Sequence, residues 1–275
     1  MNPQLQTGHS LSCCRACGGE TKGFLDLGLS PFANRLLRSK SEQVEIYPLG
    51  LSRCQKCSLV QNSTILPTGA LFGADYPYLS SVSSLVRQYA GDLAQKVAKR
   101  IADGTRVLDV GSNDGAQQLA FRDAGVACFG VDASAIPVER ARDAGLTSYC
   151  REFDAQTADW IIKTCGLFGA VTMSNVLAHV PDPLAMLQAA RQVLEPSQGI
   201  LVIEVQSWKC LVELGAFDLV YHEHHSHFSL GSLVSLVSAA GFSGFEVEET
   251  NAQGGSLRLW CRVGGAHAES VMGVL

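Results

Sequence analysis

The chain has 275 residues, 47% of them hydrophobic and 17% charged, with a formal net charge of −5. That length and apolar content can fill one large core with a small appendage, which excludes a disordered chain as the default. The 21 basic residues are scattered, so the charge footprint of a nucleic-acid binder is missing and a polyanion is disfavoured as the main ligand.

The N-terminal stretch MNPQLQTGHSLSCC has no basic segment followed by an apolar run, and nowhere do 18 apolar residues follow one another. Neither secretion nor membrane spanning is expected, which leaves the cytoplasm as the default location. Ten cysteines would stay reduced there, so closely spaced pairs suit a metal better than disulfides. Residues 1 to about 75 read as irregular, with too few periodic segments for an ordinary core. Within them CRAC supplies Cys14 and Cys17, and CQKC supplies Cys54 and Cys57. Four thiolates in two such pairs can surround Zn²⁺ tetrahedrally, and metal binding replaces the missing core energy. A redox pair would need a βαβ context that neither CxxC has. Cys13 is an alternative to Cys14 as ligand. A closed four-cysteine site leaves no position for substrate, so its role is structural.

From Ser80 to Ala102, apolar residues Val82, Val86, Tyr89, Leu93, Val97 and Ile101 recur at three- or four-residue steps, which predicts an amphipathic helix opening a second domain. Beyond it strands and helices alternate: RVLDVGS, AQQLAFRDAG, VACFGVD, AIPVERARDAG, TSYC, TADWIIKTC, FGAVTMSNV, DPLAMLQAARQVL and GILVIEVQ. Strands separated by helices of this length predict an α/β domain with a parallel sheet. The tail segments FEVEET and SLRLWCRV, separated by a Gly-rich turn, read as an antiparallel pair closing that sheet.

The segment VLDVGSNDG runs from a hydrophobic strand into a loop carrying Gly111 and Gly115, whose backbone can turn sharply and approach a ligand. The next strand ends in GVDAS, which puts Asp132 where a carboxylate accepts from ribose hydroxyls. A nucleoside-containing cofactor is expected. A dinucleotide would want a glycine where Asn113 stands, and Asp114 beside it would repel pyrophosphate. The amino group and sulfonium of S-adenosylmethionine fit Asp109 and Asp114 better on charge. A P-loop is excluded, since no G-x-x-x-x-G-K-[ST] occurs. Asp154 either reaches the adenine or caps the helix that follows it. Asn175 is either a cofactor contact or a strand-end turn residue.

The stretch YHEHHSHFSL holds four of the seven histidines. A hydrolytic metal site fails on pattern, because Ser226 stands where H-x-H-x-D-H needs Asp and where H-E-x-x-H needs His, and neither pattern explains the glycine loop.

The two CxxC pairs followed by LFGADYPYLSSVSSL, VLDVGSNDG, SNVLAHVPDP, YHEHHSHFSL and GGSLR resemble, in order and spacing, the deoxysugar C-methyltransferases. These are S-adenosylmethionine-dependent enzymes that methylate C3 of nucleotide-linked 4-keto-6-deoxyhexoses. The resemblance covers nearly the whole chain. It implies a zinc-binding domain over residues 1–75, a Rossmann-type class I S-adenosylmethionine methyltransferase domain over 76–275, and a nucleotide-sugar substrate. It also implies a further C-terminal domain beyond Leu275, so that the sequence is either a fragment or a shortened relative. Carried over position by position, it points to Tyr76, Tyr78, His179, Tyr221, Glu223 and His224. His224 is then the general base, Glu223 orients or polarises it, and His179, Tyr76 and Tyr221 donate to the enolate or the sugar. His225 and His227 stand where relatives carry Phe and Tyr, which makes them packing or loop substitutions. The expected cofactor contacts are Asp109, Gly111, Asn113, Gly115, Asp132, Asp154 and Asn175. Glu204, ending its strand near the site, is either a substrate contact or a supporting residue. O- or N-methylation of a nucleotide sugar, and less so an NAD-dependent sugar oxidoreductase, are the alternative activities.

Overall fold

The computed structural model describes residues 9–10, 12–34, 37, 39–66, 71 and 78–263. Its larger part is a seven-stranded sheet built from β6 (Val107–Val110), β7 (Cys128–Asp132), β8 (Thr147–Cys150), β9 (Ala170–Ser174), β10 (Ile200–Gln206), β12 (Ser243–Thr250) and β13 (Ser256–Arg262). The spatial order is β12-β13-β10-β9-β6-β7-β8. The five strands β6 to β10 are parallel, and β13 joins β10 antiparallel with β12 at the edge. The order reverses between β6 and β9, the place where open α/β sheets leave a crevice at the strands' carboxyl ends.

The helices α1 (Ser84–Ala98), α2 (Ala116–Asp123), α3 (Ala135–Asp143), α4 (Ala155–Cys165) and α5 (Pro183–Val193) follow the expected alternation, and α6 (Trp208–Leu214) and α7 (Leu230–Ala239) come after it. The helix expected over 80–102 is shorter, because Ser83 adopts extended backbone and caps Val86 N–H, leaving Ser80–Val82 as a separate 3₁₀ turn. Local capping sets the other starts. Asp182 accepts from Ala185 N–H with Pro183 in the first turn, and Ser229 and Ser232 form a reciprocal capping box on α7. Every residue of β6 is buried, as are most of β9 and β10, because helices cover both faces of the sheet.

The N-terminal residues differ from the irregular reading. They form a four-stranded antiparallel sheet in which β2 (Thr21–Pro31) pairs with β3 (Ile46–Cys54) and β3 with β4 (Val60–Asn62). The short β1 (His9–Ser10) pairs with β5 (Thr64–Ile65). In β2, Leu25, Leu27 and Leu29 alternate with Asp26 and Gly28, yet these leucines and Phe24 are exposed, so the alternation marks no buried face. The fourth strand of this sheet, β11 (Ser226–His227), comes from the distant histidine-rich stretch, with Ser226 opposite Gln61 and His227 opposite Val60. The boundary near residue 75 therefore divides the sequence but not this sheet.

Arg258 on β13 is fully buried and joins three elements: it pairs with Glu204 on β10 at 2.8 Å and with Asp92 on α1 at 2.6 Å. Removing one partner of a buried pair strands the other's charge, so Arg258→Ala is expected to cost about 3 to 5 kcal/mol in denaturant unfolding. An unchanged unfolding midpoint would show that Glu204 needs no countercharge.

Candidate active site

A cavity of about 930 Å³ opens at the carboxyl ends of β6 and β9, within the size range of cofactor and ligand sites. The loop after β6 forms one wall. Gly111 has φ of +69°, and a Cβ there would stand 2.3 Å from Val176 Cγ2, so the backbone must lack a side chain to pass. Asn113, also at positive φ, donates its backbone N–H to Asp132 Oδ2 at 3.0 Å, while Ser134 N–H donates to Asp132 Oδ1 at 2.8 Å. Asp132 lines the cavity, and each of its oxygens accepts only one of these bonds, which leaves acceptor capacity for a pair of hydroxyls. Gly115 is different. It caps α2 in the left-handed region, a Cβ would meet Leu146 Cδ1 at 2.3 Å, and it does not line the cavity. Its glycine serves packing of helix against neighbour.

Asp109, Asp154 and Asn175 all line the cavity. Burial pushes the Asp109 carboxyl up to about 7, while Thr172 Oγ1 donates to it at 2.8 Å. Asp154 caps α4 by accepting from Thr157 N–H at 2.7 Å, and it does so on the cavity's edge, so the two readings of this residue are compatible. Asn175 sits at φ of +56° just past β9. Asp114 departs from expectation. Its carboxylate accepts from Ser80 and Ser81 and holds the turn before α1, and it is absent from the cavity lining, whose acids include Asp109, Asp132, Glu152 and Asp154.

The same cavity is lined by His179, Tyr221 and His224. His179 ends a 3₁₀ turn after β9, and its ring lies 4.8 Å from that of His224. His179 Nδ1–H donates to the Glu223 carbonyl at 3.0 Å. His224 Nδ1–H donates to the Leu219 carbonyl at 2.8 Å, which fixes the tautomer and turns Nε2 into an acceptor for the Tyr221 hydroxyl at 3.0 Å. Burial lowers His224 to about 4 and His179 to about 3, the latter aided by His224, so both rings are neutral bases at neutral pH. Glu223 does not take the orienting position at His224; the Leu219 carbonyl and Tyr221 hydroxyl do. The Glu223 carboxylate instead accepts from Asn34 Nδ2 at 2.7 and 2.8 Å. Tyr76 falls outside the described residues, whereas Tyr78 lines the cavity mouth. Glu204 also lines the cavity, with Arg258 holding its carboxylate.

His225 and His227 are fully or almost fully buried, as packing residues would be. His227 lies against Trp208 and His222 against Phe32 and Tyr47. Sequence reasoning missed Asn34, which reaches both the cavity and Glu223, and the Leu219 carbonyl. No motif marks a lone asparagine 189 residues from its partner or a backbone oxygen.

The sulfurs of Cys14, Cys17, Cys54 and Cys57 lie within 4.8 Å of one another, with Cys14 to Cys57 at 3.6 Å and Cys17 to Cys54 at 3.5 Å. A tetrahedron with Zn–S bonds of about 2.3 Å has edges of nearly that length, so the donor set and its spacing fit zinc. A hydrogen bond from Cys57 lowers Cys14 to about 5 and raises Cys57 in turn, as expected of crowded thiols sharing charge. Cys13 is exposed and faces Ser12, which resolves the ligand choice in favour of Cys14.

Residues 83–247 match the family model described as "Methyltransferase domain", and residues 14–72 match one described as "Putative zinc binding domain". The C-methyltransferase NovU of Streptomyces niveus is 31% identical over 251 residues, covering 89% of this chain and 59% of that protein. A ubiquinone biosynthesis O-methyltransferase of Haemophilus ducreyi is 32% identical over 106 residues, covering 36% of this chain and 44% of that protein. The chain thus spans little more than half the length of the first of these relatives. Among solved structures, a SAM dependent methyltransferase from Archaeoglobus fulgidus superposes with a TM-score of 0.51 at 14% identity, covering 64% of this chain and 93% of that one. Magnesium protoporphyrin IX methyltransferase from Synechocystis PCC 6803 with bound SAH gives 0.50 at 16% identity, covering 64% and 83%. These likenesses show the same fold. Among the described residues, no helix is long and apolar enough to cross a membrane.

Two outcomes follow from the site's physical state. Purified protein should carry about one zinc per chain, and Cys54→Ser should lose it; metal-free wild-type protein of unchanged thermal stability would count against a structural zinc. Five histidines, residues 179, 222, 224, 225 and 227, are lowered by burial. The unfolded chain binds protons at these positions below about pH 6.5 where the folded chain does not. Their stabilisation is full above about pH 6.5 and is lost as pH falls toward 4 to 3, so the melting temperature should drop steeply between pH 6.5 and 5. A flat profile over that interval would contradict their burial in the neutral form.

Proposed function

The chain belongs to the methyltransferase-domain family, and from that premise we propose that it transfers the methyl group of S-adenosylmethionine to C3 of a nucleotide-linked 4-keto-6-deoxy sugar. The observation that carries the reading is the pair of neutral histidines with Tyr221 in the lining of the same cavity as Gly111 and Asp132. The similarity to a C-methyltransferase over 89% of the chain supports carbon as the acceptor.

S-adenosylmethionine supplies an electrophilic sulfonium methyl group. In this reading Asp132 holds its ribose, with Asp109, Gly111, Asn113, Asp154 and Asn175 along the rest of its length. The hydrogen on the sugar's C3 is acidified by the neighbouring C4 ketone. The Tyr221 hydroxyl leaves His224 Nε2 and donates to the ketone oxygen, where negative charge develops. The freed Nε2 takes the C3 proton as the C3–H bond breaks. S-adenosylmethionine held there would give its methyl group to C3 with loss of the sulfur–methyl bond, and the positive charge its sulfonium gives up would rest on the His224 imidazolium. The Leu219 carbonyl stabilises that imidazolium through Nδ1–H, and the low proton affinity imposed by burial favours its release to water afterwards. His179, with its Nδ1 fixed by the Glu223 carbonyl, presents its other nitrogen to the sugar. Tyr78, which lines the cavity, and Tyr76, named by the family resemblance, serve as further donors in this reading. The four-cysteine cluster takes no part in the chemistry, because four sulfur ligands close the zinc's coordination.

The decisive experiment incubates the enzyme in heavy water with a thymidine-diphosphate-linked 4-keto-6-deoxyhexose and S-adenosylhomocysteine, which cannot donate a methyl group. Deuterium should enter at C3, and His224→Ala should reduce that exchange at least about 10²-fold. Methyl transfer to oxygen or nitrogen without C3 exchange would overturn carbon methylation. Asp132→Ala should weaken binding of S-adenosylhomocysteine about tenfold to a hundredfold by calorimetry, through loss of the charged acceptor for two hydroxyls. Unaltered affinity would remove Asp132 from the cofactor site.

A further inference from the structure

We infer that Arg15, inside the first cysteine pair, is a positioning residue for methyl transfer, holding the His179 and His224 loops at their working separation. The inference rests on the assignment of those two histidines to the reacting centre. Arg15 lies between Cys14 and Cys17, and its guanidinium leaves the cysteine module altogether. Nη1 donates to the carbonyls of Val180 at 2.7 Å and Pro181 at 3.0 Å. Nη2 donates to the His225 carbonyl and to Ser226 Oγ, both at 2.5 Å. Val180 is the residue after His179, and His225 is the residue after His224. One planar fork therefore grips the backbone immediately following each histidine, across 165 and 210 residues of sequence.

The base of the fork is fixed as firmly as its tip. The Arg15 backbone N–H donates to Gln61 Oε1 at 3.1 Å, and Gln61 Nε2 donates to the Cys13 carbonyl at 3.2 Å. Gln61 is on β4, directly opposite Ser226 of β11. Asn62, next along β4, receives nothing from chance packing either: its N–H donates to the His225 carbonyl at 3.0 Å and its Nδ2 to the Tyr221 carbonyl at 3.1 Å. The two histidine rings lie 4.8 Å apart, His179 Nδ1 reaches the Glu223 carbonyl, and the Arg15 fork adds a tie between the segments that follow the two rings. A guanidinium suits this task and an ammonium does not, because its two terminal nitrogens point in fixed directions at acceptors on separate loops. Placement matters because a displacement of about 1 Å between base, carbon and methyl can cost about 10²-fold in rate.

The test compares wild type, Arg15→Ala and Arg15→Lys, each checked for one zinc per chain. Two-bond ¹H–¹⁵N spectra of the histidine rings, recorded without substrate, read the tautomers of His179 and His224. In Arg15→Ala both rings should lose the single Nδ1–H form, while binding of S-adenosylhomocysteine stays within about twofold of wild type. With sugar nucleotide, kcat should fall about 10²-fold with little change in KM for S-adenosylmethionine, and about 100 mM guanidinium chloride should restore part of it to Arg15→Ala. Unchanged spectra of both histidines in zinc-loaded Arg15→Ala would overturn the inference. If Arg15→Ala yields no folded protein, Arg15→Lys decides: an ammonium reaches one loop only, and wild-type kcat and spectra in that variant would refute a two-loop fork. The ring spectra need no turnover, so a failed sugar assay with altered spectra would count against the proposed reaction and leave the role of Arg15 standing.

Discussion

Two residues of backbone pairing, Ser226 and His227 against Gln61 and Val60, are the constraint from which the rest of the site follows. They make the histidine-rich stretch an edge strand of the cysteine module's sheet while its other end, through Tyr221 and His224, borders the cavity of the parallel sheet. A loop of this composition, left free, would solvate its imidazoles. Tied at β11, it is pressed between the two parts, and four consecutive or near-consecutive histidines become buried neutral groups.

Burying that much imidazole opposes stability unless the rings stay unprotonated and find partners. The structure meets the requirement in part with carbonyls and aromatic faces, Leu219 for His224, Glu223 for His179, Tyr47 and Phe32 for His222 and Trp208 for His227, while buried ring nitrogens of His222, His225 and His227 find no hydrogen-bond partner among the described residues. The small N-terminal module cannot hold such an arrangement by hydrophobic burial alone, since much of β2 is exposed apolar surface. A metal cross-link between its two cysteine knuckles suits it, because bonds to one ion replace core area that a segment of this size does not have.

The parallel sheet was legible almost strand by strand, since the segments from Val107 to Gln206 carry continuous apolar runs with helical periods between them. The glycine loop was legible for the same local reason: Gly111 and Asp132 sit at strand ends, and strand ends in such sheets line one crevice. Gly115 was misplaced because a glycine in a loop does not announce whether its missing side chain makes room for a ligand or for Leu146. Glu223 was misassigned in detail because adjacency in sequence to His224 says nothing of direction; its carboxylate turns toward Asn34. The β2 to β4 sheet went unread although Leu25, Leu27 and Leu29 in β2 and Tyr47, Leu49 and Leu51 in β3 alternate at two-residue steps; the β2 face is exposed, and the sheet is completed by a strand from the distant histidine-rich stretch.

By itself the sequence determined which groups exist to do chemistry and what local frames carry them: four cysteines in two knuckles, a glycine turn after a buried strand, an acid at the end of the next, and a histidine-rich loop. Those follow from short-range spacing, and short-range spacing survives in any fold the chain adopts. Only the tertiary structure decided which cysteine of the adjacent Cys13 and Cys14 joins the cluster, which histidines reach the cavity, and that Arg15 touches both histidine loops. Each of these depends on contacts across 40 to 210 residues, where direction is set by the packing of sheets against one another and leaves no periodic trace in the chain.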